Sequence, residues 1–314
     1  MLYIDKIKEI ARNILSQGRV DVIIGFKKGT LPMMNQPCII NNVDEINNLV
    51  WDGNCGINLA NYLTDRKERI GIIAKGCDSR NIANHIVENK IKKEQLFIIG
   101  VPCEKMIDKR KVKEAFKDEI IEIVEMEQEL IVKGLNKKES FKREDFIQDS
   151  CKRCSYLNPV LYDELAGNLI KEPDIKDSFD DVTEIDNMKP EEKWNYFDEM
   201  LSSCIRCYAC REACPLCYCP TCFVDESTPQ WVGKGQNESD IRIFHFLRAF
   251  HCAGRCTDCG ACERACPMGI KVRKLTRKLN KVSLELYNWE AGLTPDKRPL
   301  LDAFKTNDYN DFIM

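Results

Sequence analysis

The chain has 314 residues, enough for two domains with separate cores. Its 47 basic and 50 acidic side chains leave a net charge of −3, which excludes a broad electropositive surface for nucleic acid, and no run approaches the ~20 apolar residues of a membrane-spanning helix. Eighteen cysteines, many at gaps of two or three residues, speak for metal ligation in a reducing compartment and against a disulfide scaffold.

The opening MLYIDKIKEIARNILSQ reads as an amphipathic helix that carries acidic residues and lacks a signal peptide's uncharged core, so a cytoplasmic protein is expected. Three short apolar runs follow, VDVIIGF (20–26), IGIIAKG (70–76) and QLFIIGV (95–101), of the kind that form buried parallel strands. Helical patterns at 57–65, 79–90 and 108–117 alternate with them, which implies βαβ units and an α/β domain over residues 1–171. The turns KGCDSR and GVPCEK place Cys77 and Cys103 at strand C-terminal ends, the edge along which open α/β sheets bind ligands. Neither turn is a dinucleotide fingerprint. An acidic stretch poor in large apolar residues, 172–193, reads as a linker or surface strap.

Residues 194–288 hold twelve cysteines. CIRCYACREACP and CTDCGACERACP repeat one spacing, three cysteines at intervals of three and a fourth just before proline. A cubane needs four thiolates, and in two-cluster ferredoxins the fourth cysteine of each run crosses to the other cluster. The expected ligand sets are Cys204, Cys207, Cys210 and Cys266 for one [4Fe–4S] cluster, and Cys256, Cys259, Cys262 and Cys214 for the second. Zinc suits isolated C-x2-C pairs better than two complete runs ending in Cys-Pro. Between Cys214 and Cys256 lie 41 residues. Among them SDIRIFHFLRAFH reads as a helix with Ile241, Phe244, Leu247 and Phe250 on an apolar stripe, and KVRKLTRKLNKVSLELYNW beyond the second run is helical too. The expected fold class is an α/β N-terminal domain plus a mainly α-helical two-cluster ferredoxin domain, closed by a tail at 289–314.

Cys217, Cys219 and Cys222 follow the first run at once. They are candidates for a further cluster, with Cys252, Cys55 or Cys38 available as a fourth ligand; the alternative is that some are packing thiols. His85, His245 and His251 lack metal-ligand spacing and receive no role. No Ser-His-Asp set or phosphate-binding Walker loop is present, so the chemistry expected is electron transfer.

The segments IGIIAKGCDSRNI, LFIIGVPCEKM, CKRCSYLNPVLYDELAG and CIRCYACREACPLCYCPTCF resemble proteins related to the beta subunit of coenzyme F420-reducing hydrogenase and dehydrogenase, over most of residues 20–285. The resemblance implies a 4Fe–4S dicluster domain joined to the N-terminal domain, and partners such as a flavoprotein, a hydrogenase, a formate dehydrogenase or a heterodisulfide-reductase-like module. It implies a third cluster in the N-terminal domain, for which Cys77, Cys103, Cys151 and Cys154 are the candidates; Cys55 competes for a place, and a zinc site on the same ligands is the alternative. It also implies FAD, for which Lys75 and Gly76 are candidate phosphate contacts, although Asp78 and Ser79 read equally as a helix cap.

The function expected is an iron–sulfur electron-transfer subunit of a multisubunit anaerobic oxidoreductase, itself without a catalytic residue, relaying electrons between a flavin or nicotinamide site and a partner's catalytic centre. Two alternatives stand beside it: a subunit that holds FAD and itself oxidises or reduces a soluble two-electron carrier, and a free-standing ferredoxin-like carrier or assembly adaptor. The acidic strap, PQWVG (229–233) and the tail DYNDFIM (308–314) are candidate docking surfaces for a partner, with the tail packing back on its own domain as the alternative.

Overall fold

The computed structural model describes residues 2–174, 179–302 and 306. Helix α1 (Leu2–Ser16) sets Ile7, Ile10, Ala11 and Ile14 on one stripe and buries all four. They pack on a sheet containing β1 (Val22–Lys27), β2 (Gln36–Ile40), β3 (Ile70–Ala74) and β4 (Leu96–Gly100), in the spatial order β2-β1-β3-β4. Strands β1, β3 and β4 are parallel, with Ile24 beside Ile72 and Ile72 beside Ile98; β2 closes the edge antiparallel to β1. Every residue of β3 and β4 is buried, which is why those runs are apolar without alternation.

Helix α2 (Gly76–Val87) leaves β3, and α3 (Lys109–Ala115) follows the turn after β4. The helix expected over 57–65 is only a 3-10 turn, Leu59–Tyr62. An antiparallel meander of β5 (Ile120–Glu125), β6 (Glu129–Gly134) and β7 (Lys138–Lys142) comes next, with its own small core of Val112, Phe116, Leu130, Val132 and Phe146. A short helix α4 (Asp149–Lys152) carries Cys151, and β8 (Glu164–Leu165) then joins the main sheet parallel to β4.

The rest is helical. In the stretch read as a strap, Asp180–Asp186 forms helix α5, followed by α6 (Pro190–Leu201). Helix α7 (Ala209–Glu212) lies in the first cysteine run, α8 (Glu238–His251) in the insert, α9 (Ala261–Ala265) in the second run and α10 (Arg273–Tyr287) after it. Helix α5 is pinned to α10: Asp181 meets Lys274 at 3.0 Å and Arg277 at 2.8 Å, and Asp186 meets Lys278 at 2.8 Å and Lys281 at 2.9 Å. That part of the acidic stretch is anchored, not free. On α8 the expected stripe turns: Ile241 and Phe244 are buried, but Leu247 and Phe250 are 39% and 57% exposed. The buried face continues instead through His245 and Arg248, which look onto Cys204 and Cys210 beside the small apolar clusters that hold Ile241 and Phe244.

Helix α2 is the joint between the two halves. Its buried residues include Arg80, Asn81, Asn84 and His85, and these four reach backbone or side-chain partners in the C-terminal region. Arg80 donates to the carbonyl of Ala291 at 2.6 Å, Asn81 to Thr257 Oγ1 at 2.9 Å and Asn84 to the carbonyl of Arg255 at 2.8 Å. His85 Nε2 lies 2.7 Å from the carbonyl oxygen of Pro215.

Candidate metal centres

The two cysteine runs are structural repeats. In the first, Arg206 and Tyr208 have φ of 50° and 58°; in the second, Asp258 and Gly260 have 57° and 72°. These are the second and fourth residues after Cys204 and Cys256, and α7 and α9 then begin at the same offset. Each left-handed residue reverses the loop, so that three cysteines of one run curl toward one point. At Gly260 a Cβ would collide with Ser150, so only glycine fits. Backbone amides also face the sulfurs: Asp258 N lies 3.4 Å from Cys256 Sγ, and Ile270 N 3.4 Å from Cys266 Sγ.

The runs cross. One void is lined by Cys214 of the first run together with Cys256, Cys259 and Cys262 of the second, with Cys252 also at its wall. Burial pushes the Cys256 thiol up to about 12, helped by Asp258 and Cys259; Cys262 is also raised, first by burial and then by Cys214, against the opposing charge of Arg248. The other grouping is Cys204, Cys207 and Cys210 with Cys266: burial raises Cys210, and Cys266, Cys204 and Cys207 raise it further against Arg248. His245 Nε2 lies 3.3 Å from Cys204 Sγ. Burial, then Arg248 and Arg206, lower that imidazole to about 4, so it is neutral near pH 7 and its Nε2–H tautomer can donate to the sulfur.

Cys77, Cys103, Cys151 and Cys154 line a second cavity of about 100 Å³, to whose wall Cys256 and Cys259 also contribute. Cys77 comes from the start of α2 and Cys103 from the turn after β4, where its N–H bonds the carbonyl of Leu157 at 2.8 Å. Cys151 and Cys154 arrive from α4 and the turn beyond it. Lys75, Arg80, Arg153 and Arg264 face the same space. Cys55 is absent from this lining; it is fully buried, its thiol pushed up to about 12 by burial and then by Asp52, and Asn35 Nδ2 lies 3.5 Å from its sulfur. Cys55 is a core residue, and Cys38 packs against the same core.

An all-thiol donor set suits soft metals and iron–sulfur clusters. Arg248 fits the same reading. It is 5% exposed, donates to the carbonyl of Cys210 at 2.8 Å, and its Nε finds no hydrogen-bond partner. Burial alone would lower its pKa, yet Cys214, Cys262, Cys252 and Cys217 around it hold it well above the ordinary arginine value. A buried guanidinium among thiols is the counter-charge that an anionic thiolate-bound cluster requires.

Other expected site residues separate. Cys217 lies with Cys214 and Cys252, their sulfurs all within 4.8 Å of one another. Cys219 is exposed and Cys222 is a hydrogen-bond partner of Arg211, and neither joins the close grouping of Cys214, Cys217 and Cys252. Lys75 is spent on Asp78 at 2.7 Å and on the Ile57 carbonyl at 3.0 Å, 1% exposed; a Cβ on Gly76 would strike the carbonyl of Tyr156. In the PQWVG loop, Trp231 stands 69% exposed while Val232 is buried; residues 308–314 lie outside the described residues. Sequence reading gave His245 no role, offered Cys252 only as a fourth ligand for the triplet, and passed over Arg248. The signal was present only in their spacing along α8, which puts 245, 248 and 252 on the face turned to the cysteines.

Among the described residues no helix is long and apolar enough to cross a membrane. A helical pair of cysteine runs locked to a cysteine-bearing α/β sheet suits a redox subunit. No family model matches the chain, but curated relatives do. It is 24% identical to the F420-dependent formate dehydrogenase subunit beta of Methanocaldococcus jannaschii, over 92% of both chains. It is equally 24% identical to the F420-dependent formate dehydrogenase 1 subunit beta of Methanococcus maripaludis, over 92% of this chain and 90% of that one. A chain of the F420-reducing [NiFe] hydrogenase complex from Methanosarcina barkeri aligns with 48% of this chain and 59% of its own, at 12% identity and a TM-score of 0.38. By sequence the chain is similar to beta subunits of F420-dependent formate dehydrogenases.

Proposed function

We propose that the chain is an iron–sulfur electron-transfer subunit of an anaerobic oxidoreductase complex, holding three [4Fe–4S] clusters on Cys77, Cys103, Cys151 and Cys154; on Cys256, Cys259, Cys262 and Cys214; and on Cys204, Cys207, Cys210 and Cys266. The observation that carries this reading is the shared wall: Cys256 and Cys259 line both the N-terminal cavity and the inner void. Clusters of this type accept and release one electron at a time. The chain's own work is to hold the thiolates close, to exclude water from them and to supply Arg248, Lys75 and Arg80 as fixed positive charge. The curated relatives are named as subunits of formate dehydrogenases, and a catalytic partner of that class is the natural source or sink of electrons.

The chain purified without oxygen is expected to hold about twelve irons and as many acid-labile sulfides, the content of three cubanes. It should also co-purify in a larger complex when taken from its native host. A folded, colourless protein without iron, or one holding only zinc, overturns the reading.

A second reading, in which the chain binds a flavin and meets a two-electron carrier itself, is favoured by a different cleft. About 510 Å³ in volume, it lies between the α/β half and the helices α7 and α9, with Lys109, Arg110 and Lys271 on its wall. That size suits a cofactor. About one flavin per chain in the same preparation would favour it.

A further inference from the structure

The geometry points to a redox site beyond the clusters: Cys217 and Cys252 form a dithiol that closes to a disulfide and so stores two electrons beside Cys214. The inner void already has its four expected thiols in Cys214, Cys256, Cys259 and Cys262. With Cys214 committed there, an assignment this inference takes from the function proposed above, two sulfurs remain side by side, within 4.8 Å of each other and of Cys214. They come from chain segments that let them meet. Cys217 is on the turn after the first run, its N–H bonded to the carbonyl of Cys214 at 3.0 Å, and Cys252 caps α8. A modest side-chain rotation spans the gap to a bond of about 2.0 Å. Cys252 is buried whereas Cys217 is partly exposed, so protons and small reagents have one way in.

On oxidation two S–H bonds break and one S–S bond forms. Two protons leave by the Cys217 side, and two electrons pass singly to one-electron acceptors of the iron–sulfur class or together to a two-electron oxidant. Reduction reverses each item. Placed next to a cluster ligand, such a pair matches two-electron to one-electron traffic.

The sequence makes the site easy to read. Trypsin releases Cys252 as the only cysteine of AFHCAGR (249–255), and Cys217 within residues 212–234. The anaerobically prepared full chain is treated with diamide, a two-electron thiol oxidant, then alkylated in denaturant, digested and analysed by mass spectrometry. The expected product is AFHCAGR disulfide-linked to the 212–234 peptide, with iron content unchanged, and at least ten-fold less of it in Cys217→Ser. Cys252 fully alkylated after diamide overturns the inference. So does loss of about four irons in Cys217→Ser or Cys252→Ser, the content of one cubane, which would make them ligands. A link that forms in a wild-type chain devoid of iron would leave the dithiol standing and overturn the cluster reading instead.

Discussion

The two halves of the molecule gather thiols by opposite means. In the C-terminal half the ligand candidates are local, three in seven residues, and the apolar clusters around them are small, of the kind formed by Leu201, Ile241, Ile270 and Val272. In the N-terminal half, Cys77, Cys103, Cys151 and Cys154 are delivered from distant points to one sheet edge by a large core that runs from α1 through β4. A site on a prebuilt scaffold survives without its metal. A site whose loops close only around the metal does not, because binding energy there is folding energy.

The comparison breaks most visibly at Cys210. Cys210→Ala should remove about four irons, the content of one cubane, and expose residues 204–270 to protease while the N-terminal sheet persists. Limited proteolysis with mass mapping checks this, and a variant with wild-type iron and wild-type resistance would sink the contrast. Next in size is the buried pair beneath the N-terminal site. Lys75→Met leaves the Asp78 carboxylate buried with its cation gone and the Ile57 carbonyl without its donor, a change that costs about 3–5 kcal/mol of stability. Denaturant unfolding followed by far-UV circular dichroism measures it, and an unchanged midpoint would show that the sheet edge is less constrained than its burial implies.

Smaller still is Cys151→Ser with Cys154→Ser. The double variant should lose about four irons yet keep the N-terminal fold, since these residues sit outside the sheet, in α4 and the turn beyond it. Collapse of the fold in that variant would place the two halves on the same footing. The smallest effect is at His245. His245→Ala removes a donor 3.3 Å from Cys204 Sγ and should shift one cluster's potential downward by a few tens of millivolts at unchanged iron content. His245→Gln should recover part of the shift in a redox titration followed by electron paramagnetic resonance. No shift would make the imidazole a packing group.

Much of this was legible in the chain. Runs such as IGIIA and LFIIG read directly as buried parallel strands, and Cys-Pro endings mark the two repeats. The meander β5–β7 was not legible because its half-exposed strands interleave Glu and Lys with Ile and Val in a register too short to stand out. The left-handed turns of the first run were hidden as well: Arg206 and Tyr208 are not residues that announce a positive φ. Nor does spacing say that Cys217 turns inward and Cys219 outward, or that the buried face of α8 is built from His245 and Arg248. Those facts depend on what lies opposite, and only the folded chain decides it.

The polar joint along α2 ties the two halves to one another. Swinging the halves apart would strip Arg80 from the Ala291 carbonyl and Asn84 from that of Arg255, and would open the Arg255–Glu88 ion pair, which spans 2.8 Å. Each of those groups would have to find water at the same moment. Electron hopping falls off steeply with distance, so a conductor gains from having its stepping stones bolted to one frame. In the electron-transfer role proposed above, any gating of current therefore falls to neighbours that swing up to the chain and away.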